Sequence, residues 1–171
     1  MRKLCLLVAL CAAVLCACGN PQPANPLPKQ SGNFETAAEI RYKELKATAS
    51  VSRETPDSCT VVFASPPSLK DMSFVFRRDS VDLSYKGLGF RFDPDSLPGG
   101  AVAGLTVSAI NRAMSDDGLT LDYADGKLGI TGIMDSGEFH LLLDQQSGNL
   151  LKLSIPAEEL EIAFVNFHFL G

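Results

Sequence analysis

The sequence contains little of what most catalytic and metal sites require. It has two histidines, His140 and His168, and no tryptophan. Four of its five cysteines lie within the first eighteen positions, and only Cys59 lies beyond them. The N-terminal cluster contains no CxxC pair and has no histidine near it, so neither a redox pair nor a zinc site explains it. We therefore interpret the cluster as part of an N-terminal signal.

Residues 1–17 have the layout of a secretory signal peptide. A positive start is followed by an apolar run shorter than the roughly 20 residues that a membrane-spanning helix needs. The run ends in "LCAC", which resembles the bacterial lipobox, and the resemblance implies that Cys18 is lipidated and becomes the new N-terminus. An ordinary cleaved signal peptide with a free cysteine is the alternative. Lipidation would anchor the protein at the extracytoplasmic face of a cell membrane, or of an outer membrane where the host has one.

Residues 18–32 predict a tether between this anchor and a folded domain. The stretch carries four prolines, and Pro-rich chains favour an extended conformation of about 3.1 Å per residue. Residues 33–171 are long enough for one domain with its own core. Without residues 1–17, thirteen basic and twenty acidic residues remain, for a net charge of −7. This charge argues against nucleic acid as a partner.

Most of the domain alternates apolar and polar residues at period two, which is typical of strands with one dry face. In "LLKLSI", for example, Leu151, Leu153 and Ile155 alternate with polar residues. Gly-containing turns at 124–127, 135–138 and 145–149 predict antiparallel hairpins. The pattern predicts strands near 47–53, 58–64, 72–78, 80–86, 89–92, 119–123, 127–134, 137–143, 149–155 and 159–168.

Two segments have helical spacing instead. Small and apolar residues that follow Asn33, a suitable N-cap, predict a helix over about 34–46. Ala101, Leu105, Ala109 and Ile110 predict a second helix over about 101–115. A sheet of about ten strands with one dry face must curl. Whether its dry face encloses an apolar cavity or packs solid against the helices stays open at this point.

Over residues 33–169 the chain resembles the LolA/LolB superfamily of lipoprotein carriers and receptors. The resemblance rests on the order of a strand ending at Pro66-Pro67, two alternating strands with a "YKGL" turn, a helical insert, and the closing "FHLLLDQQSGNLLKLSIPAEELEIAFVNFHF". It implies an α+β fold, a curled antiparallel half-barrel of about 9–11 strands with two or so helices covering its open side. It also favours the cavity.

The dry face then predicts a binding site for a lipid or another apolar ligand. The residues expected to line it are Phe74, Phe76, Leu83, Tyr85, Phe90, Phe92, Leu105, Ile110, Phe139, Leu141, Leu153, Ile162 and Phe164. The alternative is a module of the cell envelope that docks a protein partner without carrying lipid. An exposed apolar row formed by Val165, Phe167 and Phe169 would favour that alternative.

The sequence has no arrangement typical of an enzyme, because it contains no serine elbow, Cys–His pair or close carboxylate pair. We expect no catalysis, no cofactor and no metal. His140 and His168 are predicted to lie at the surface or rim, and Asp93 and Asp95 to belong to a turn rather than a calcium loop. Cys59 lies in an apolar strand and is predicted to be a buried small hydrophobe.

Overall fold

The computed structural model describes residues 32–96, 101–115 and 117–170. These residues form eleven β-strands, one α-helix and two short 3-10 turns. The strands in chain order are β1 Phe34–Tyr42, β2 Leu45–Thr55, β3 Ser58–Ser65, β4 Ser73–Phe76, β5 Val81–Tyr85, β6 Leu88–Phe92, β7 Thr120–Ala124, β8 Lys127–Met134, β9 Gly137–Asp144, β10 Leu150–Ile155 and β11 Leu160–Phe169. The helix, α1, spans Val102–Ala113.

The strands form one antiparallel sheet in the order β6-β5-β4-β3-β2-β1-β11-β10-β9-β8-β7. The first and last strands pair in the middle, and the chain runs outwards from there in two meanders. The edge strands β6 and β7 do not pair with each other, so the sheet is an open half-barrel rather than a closed barrel. The predicted fold class, a curled antiparallel half-barrel of about 9–11 strands, is confirmed.

The helix predicted over 34–46 is wrong, because this segment forms β1 and the turn into β2. Its buried side chains are Phe34, Thr36, Ala38 and Ile40, which recur at period two. Arg41, which the helical spacing placed with the apolar residues, is exposed. Because β1 pairs on both sides, with β2 and β11, its backbone hydrogen bonds are made in the sheet, and this pairing overrides the helical preference of an Ala- and Glu-rich segment.

The other predicted elements are present. Each of the ten expected strands has a counterpart, and the helix expected over 101–115 is α1. The three Gly-containing turns are confirmed, and Gly126 with Asp125 shows why they need glycine. Both residues have a positive φ, 72° and 51°, as the two-residue turn between β7 and β8 requires. The turn chemistry of the sequence therefore predicts the hairpins that follow α1 correctly.

The half-barrel is covered by less helix than predicted, because α1 is the only α-helix among the described residues. Its main contacts with the sheet are with β8 and β9. Its apolar side is buried, with Ala109, Ile110 and Ala113 at 2% exposure or less. At 12 residues, α1 is too short to cross a bilayer, and no other described helix has the length and apolarity to do so.

The middle of the half-barrel is packed solid. Phe139, Leu153, Ile155 and Ile162 are fully buried and belong to one apolar cluster with α1. The described core is formed by residues between Phe34 and Phe169, so a chain that begins after Cys18 contains all of it.

Candidate ligand-binding site

One face of the sheet carries mainly apolar side chains from one edge to the other. Paired residues of an antiparallel sheet project to the same side, so the register places Phe74, Leu83 and Phe90 on one face. Leu121 and Ile130 lie on the same face at the opposite end of the sheet. We call this side, which also carries α1, the concave face. The opposite side is the convex face.

All thirteen residues predicted to line a ligand site lie on the concave side, but in different surroundings. Those packed in the core with α1 are Leu105, Phe139, Leu153, Ile162 and Phe164. Those that line a small cavity are Ile110 and Leu141. Those that lie on β4, β5 and β6 are Phe74, Phe76, Leu83, Tyr85, Phe90 and Phe92. The role of all thirteen residues as ligand contacts stays a prediction. Cys18, the predicted lipid attachment site, lies outside the described residues.

The apolar side chains on the concave face of β4, β5 and β6 are mostly only partly covered, although Val81 is buried, and we call these three strands the wing. On its concave face Leu88 is 61% exposed and Phe90 is 51% exposed. Phe90 stacks on Phe92 with 6.3 Å between ring centroids, and Phe74 stacks on Phe76 at 6.2 Å. Phe74 and Phe76 also pack against the core cluster. The wing is thus a continuation of the core surface into solvent.

The convex face of the wing is polar, whereas its concave face is apolar. Asp82 lies there between two arginines, paired with Arg77 and with Arg91, whose Nε lies 2.6 Å from the carboxylate. The hydrogen bond from Arg91 is the main cause that holds the pKa of Asp82 below its ordinary value. A charged outer face and an apolar inner face identify the inner face as the one suited to an apolar ligand.

A small apolar cavity, the mouth pocket, lies at the end of the half-barrel where α1 ends. Its volume is about 60 Å³, less than half of the roughly 150 Å³ of an engineered cavity that holds one benzene molecule. Its lining residues are Gly32, Phe34, Ile110, Ala113, Met114, Ile130, Leu141, Leu143, Gly148, Leu150, Phe167 and Phe169. As it stands, the mouth pocket is too small for an acyl chain.

A β-bulge explains why the aromatic end of β11 faces inwards. Asn166 has a φ of 54°, and the register between β1 and β11 shifts at this point. The extra residue changes the phase of the strand, so that Phe167 and Phe169 lie on the same side as Ile162 rather than opposite to it. Phe167 stacks on Phe34 at 5.0 Å. The outward apolar row expected from strict alternation is therefore not formed.

The cysteine and histidine side chains that are described do not form a reactive centre. Cys59 is 4% exposed, as predicted, and burial raises the pKa of its thiol to about 12 despite the nearby Arg53. His140 and His168 are exposed, and His140 lies 3.1 Å from Glu138. Within the part of the chain that the structure describes, no three His, Cys, Asp or Glu side chains are placed to hold a metal ion.

Sequence reasoning missed Arg53, the buried charged residue of the concave face. It is 6% exposed and pairs in register with Phe34 on one side and Cys59 on the other. The signal was present in "ATASVSRET", because Ala47, Ala49, Val51 and Arg53 share one phase of the alternation. A charge in the inward phase of a strand marks a position that the hydrophobic pattern alone does not explain.

Comparison with known proteins gives a result at the level of structure only. No protein-family model matches the chain, and no curated protein is similar to it in sequence. Solved structures do match. An uncharacterized conserved protein from Thermus thermophilus aligns with a TM-score of 0.56 and 12% identity, over 82% of this chain and 80% of that one.

Two further structures align less closely. A LolA superfamily protein, NE2245 from Nitrosomonas europaea, aligns with a TM-score of 0.45 and 14% identity, over 85% of this chain and 89% of that one. A chain of the complex of the CwlD amidase with the GerS lipoprotein from Clostridioides difficile gives a TM-score of 0.45 and 11% identity, over 72% and 76%. At these identities the similarity concerns the fold alone, and the open half-barrel that the LolA/LolB resemblance implied is the fold that the described residues form.

Proposed function

We propose that this protein is a membrane-tethered lipoprotein that binds an acyl chain or another apolar ligand on the concave face of the wing and catalyses no reaction. The observation that carries the proposal is the exposure of Leu88 and Phe90, at 61% and 51%, on the face whose other side chains form the core. Contiguous apolar surface that a domain leaves in water usually marks a binding surface.

The energetics favour an extended apolar ligand. Each methylene group removed from water contributes about 0.8 kcal/mol, so eight methylenes laid on the wing would gain roughly 6 kcal/mol before the cost of ordering the chain. The stacked pairs Phe90–Phe92 and Phe74–Phe76 offer flat aromatic surfaces along which such a chain can lie. On the convex face, the ion pairs of Asp82 with Arg77 and Arg91 keep the same strands soluble.

The N-terminal tether would place the domain near a source of apolar ligand. Lipid on Cys18 would hold the domain at the extracytoplasmic face of a membrane, and the proline-rich residues 18–32 would separate the wing from the lipid surface. An acyl ligand could then reach the wing from the same membrane. Docking of a protein partner on the wing is the alternative. The row Val165, Phe167 and Phe169, which was expected to favour docking, does not form an outward surface.

The chain offers a matched pair of variants for the test. Leu88 on the concave face and Ile133 on the convex face are both 61% exposed. The test uses the chain from Gly19 to Gly171, and measures binding of a fluorescent long-chain alcohol. We expect the double variant Leu88→Ser, Phe90→Ser to lose about 10-fold or more in affinity, since about two side chains of apolar contact are removed. Ile133→Ser is expected to bind as the unchanged protein does.

Native mass spectrometry of the chain from Gly19 to Gly171, exported behind an ordinary cleavable signal peptide, gives a second, independent measurement. We expect a co-purifying acyl ligand that lipid extraction removes. Equal loss of binding in the concave and convex variants would reject the wing as the site. An absence of any bound or binding apolar ligand, together with a specific protein captured through Leu88 and Phe90, would favour the docking alternative instead.

A further inference from the structure

Arg53 is a buried charged residue among apolar neighbours. On the concave face it lies in a lateral row of register partners that runs Phe34, Arg53, Cys59, Phe76. Among the residues described, it is the one charged side chain in the buried class, at 6% exposure. Burying a charge is costly unless the charge is paired and its hydrogen bonds are made. A buried guanidinium in an apolar row therefore requires an explanation.

The partners of Arg53 satisfy it incompletely. Nη1 donates to the carbonyl of Gly32 at 3.0 Å and to the thioether of Met114 at 2.8 Å, and Nη2 donates to the carbonyl of Pro56 at 3.2 Å. A guanidinium has five N–H donors, and a thioether is a weak acceptor. No carboxylate of the described chain lies within ion-pair distance of Arg53, and the carboxylate of Asp57, which pairs with Arg78, acts on Arg53 only from a longer distance. Burial is the main cause that lowers the pKa of Arg53.

The other arginines of this end of the half-barrel differ from Arg53 in that they have carboxylate partners. Arg78 pairs with Asp57 at 2.6 Å, and Arg77 pairs with Asp82. Both are exposed. Within the described part of the chain, Arg53 is therefore the cation of this region that has no carboxylate within ion-pair distance.

A cleft that begins at Pro56, a hydrogen-bond partner of Arg53, borders the wing. It has a volume of about 180 Å³ and lies between α1 and the ends of β3 and β4. Pro56 and Cys59, which are a hydrogen-bond partner and a register neighbour of Arg53, line it, and so do Phe76 of the wing and Val107 of α1. The rest of its lining is polar, and consists of Asp57, Ser58, Arg77, Arg78 and Asn111. From β2 to β6 the sheet crosses four strand spacings, about 19 Å at roughly 4.8 Å each. A ligand that joins Arg53 to the far edge of the wing must span this distance, as an extended long acyl chain does.

We propose that Arg53 binds the carboxylate of a long-chain fatty acid, whose acyl chain runs through the cleft and along the concave face of the wing. This inference rests on the proposed function and names the ligand class. A carboxylate would replace the thioether of Met114 with a charge-assisted, forked hydrogen bond, which is the geometry that arginine matches best. Met114 can give way, because an unbranched methionine changes rotamer readily.

The experiment compares two ligands that differ only in their head group. Binding of radiolabelled palmitate and radiolabelled hexadecanol is measured below their micelle concentrations with the chain from Gly19 to Gly171. We expect palmitate to bind about 10- to 100-fold more tightly, as a hydrogen bond to a charged group is worth roughly 1.5–3 kcal/mol. Arg53→Met, which keeps the length of the side chain, should lower the affinity for palmitate far more than the affinity for hexadecanol and so abolish this preference.

Two further variants separate a ligand-binding role from a structural one. Arg78→Met removes an exposed arginine from the same cleft and should keep the preference for palmitate. Arg53→Lys keeps the charge without the fork, and should retain part of the preference even if Arg53→Met folds poorly. Equal binding of both ligands by the unchanged protein would overturn the assignment of Arg53 while leaving the apolar site intact. Loss of the preference in Arg78→Met would overturn it too. Failure of both ligands to bind would instead reject the proposed function.

Discussion

The hydroxyl of Thr36 donates a hydrogen bond to the carbonyl of Val165 across 3.0 Å, and this bond joins β1 to β11 where their pairing is irregular. Thr36 is 2% exposed, so water cannot replace the hydroxyl at this carbonyl. Thr36→Val keeps the shape and the strand preference but removes the donor. We expect it to lower the free energy of unfolding by about 1–3 kcal/mol, the cost of a buried polar group left unpaired, as measured by urea denaturation.

Thr48→Val is the matched control for that change. Thr48 is exposed, and its hydroxyl bonds only the side chain of Ser65. The loss there should be within about 0.5 kcal/mol, as is usual for surface substitutions. Similar losses at both positions would contradict the role assigned to Thr36.

The bulge itself depends on Asn166, whose φ is 54°. Asparagine tolerates this left-handed conformation, whereas a β-branched residue does not. We expect Asn166→Val to destabilise the protein by about 1–2 kcal/mol and Asn166→Gly to be nearly neutral. Thermal unfolding followed by circular dichroism measures both. Should valine prove harmless here, the inward orientation of Phe167 and Phe169 would need a different explanation.

Gly132 allows β8 to approach the core closely. A Cβ at this position would lie 2.7 Å from two ring atoms of Phe139 and 2.8 Å from Cδ2 of Leu119. Because Phe139 is fully buried and cannot move away freely, Gly132→Ala should cost about 1–3 kcal/mol of stability through overpacking. Gly89→Ala is the control. No atom lies within 4 Å of its Cβ position, so alanine there should leave the stability unchanged or slightly raised.

The sequence predicts the sheet well and its irregular places poorly. Alternation located ten strands because each has one wet and one dry face. It failed at β1, whose small residues Ala37 and Ala38 fit a helix as well as a strand, and only pairing with β2 and β11 decides between them. It also failed beyond Asn166, because one residue in a left-handed conformation reverses the phase of all that follow.

The candidate site was predictable in outline for the same reason. The aromatic residues of the wing were identified from their phase alone, but how far α1 covers them depends on where the helix packs, which a single sequence does not contain. Arg53 was missed because apolar residues were sought in the dry phase, and a lone charge among them was not treated as a signal. Its buried register neighbours Phe34 and Cys59 show that its charge lies inside the apolar face of the sheet.

Cys59 gives a prediction that depends on pH. Burial raises the pKa of its thiol to about 12 in the folded protein, from about 9 in the unfolded chain. A raised pKa means that the folded state holds the proton more tightly. Its contribution to stability is therefore complete below pH 9 and is lost as the pH rises towards 12. At pH 10.5 the loss should reach at most about 2 kcal/mol, at roughly 1.4 kcal/mol for each pH unit above 9.

Cys59→Ala separates this loss from the titration of lysines and tyrosines, which both proteins share. The free energies of unfolding of the two proteins are compared at pH 7.5 and pH 10.5, using the chain from Gly19 to Gly171, in which Cys59 is the single cysteine. We expect the alkaline pH to destabilise the cysteine-containing protein more than the variant. An equal change in both would mean that the thiol ionises in the folded state, and the native protein would then react with iodoacetamide at pH 10.5 as fast as the unfolded chain does. Slow reaction, limited by unfolding, is what a thiol with 4% exposure, lying between its register partners Phe76 and Arg53, should give.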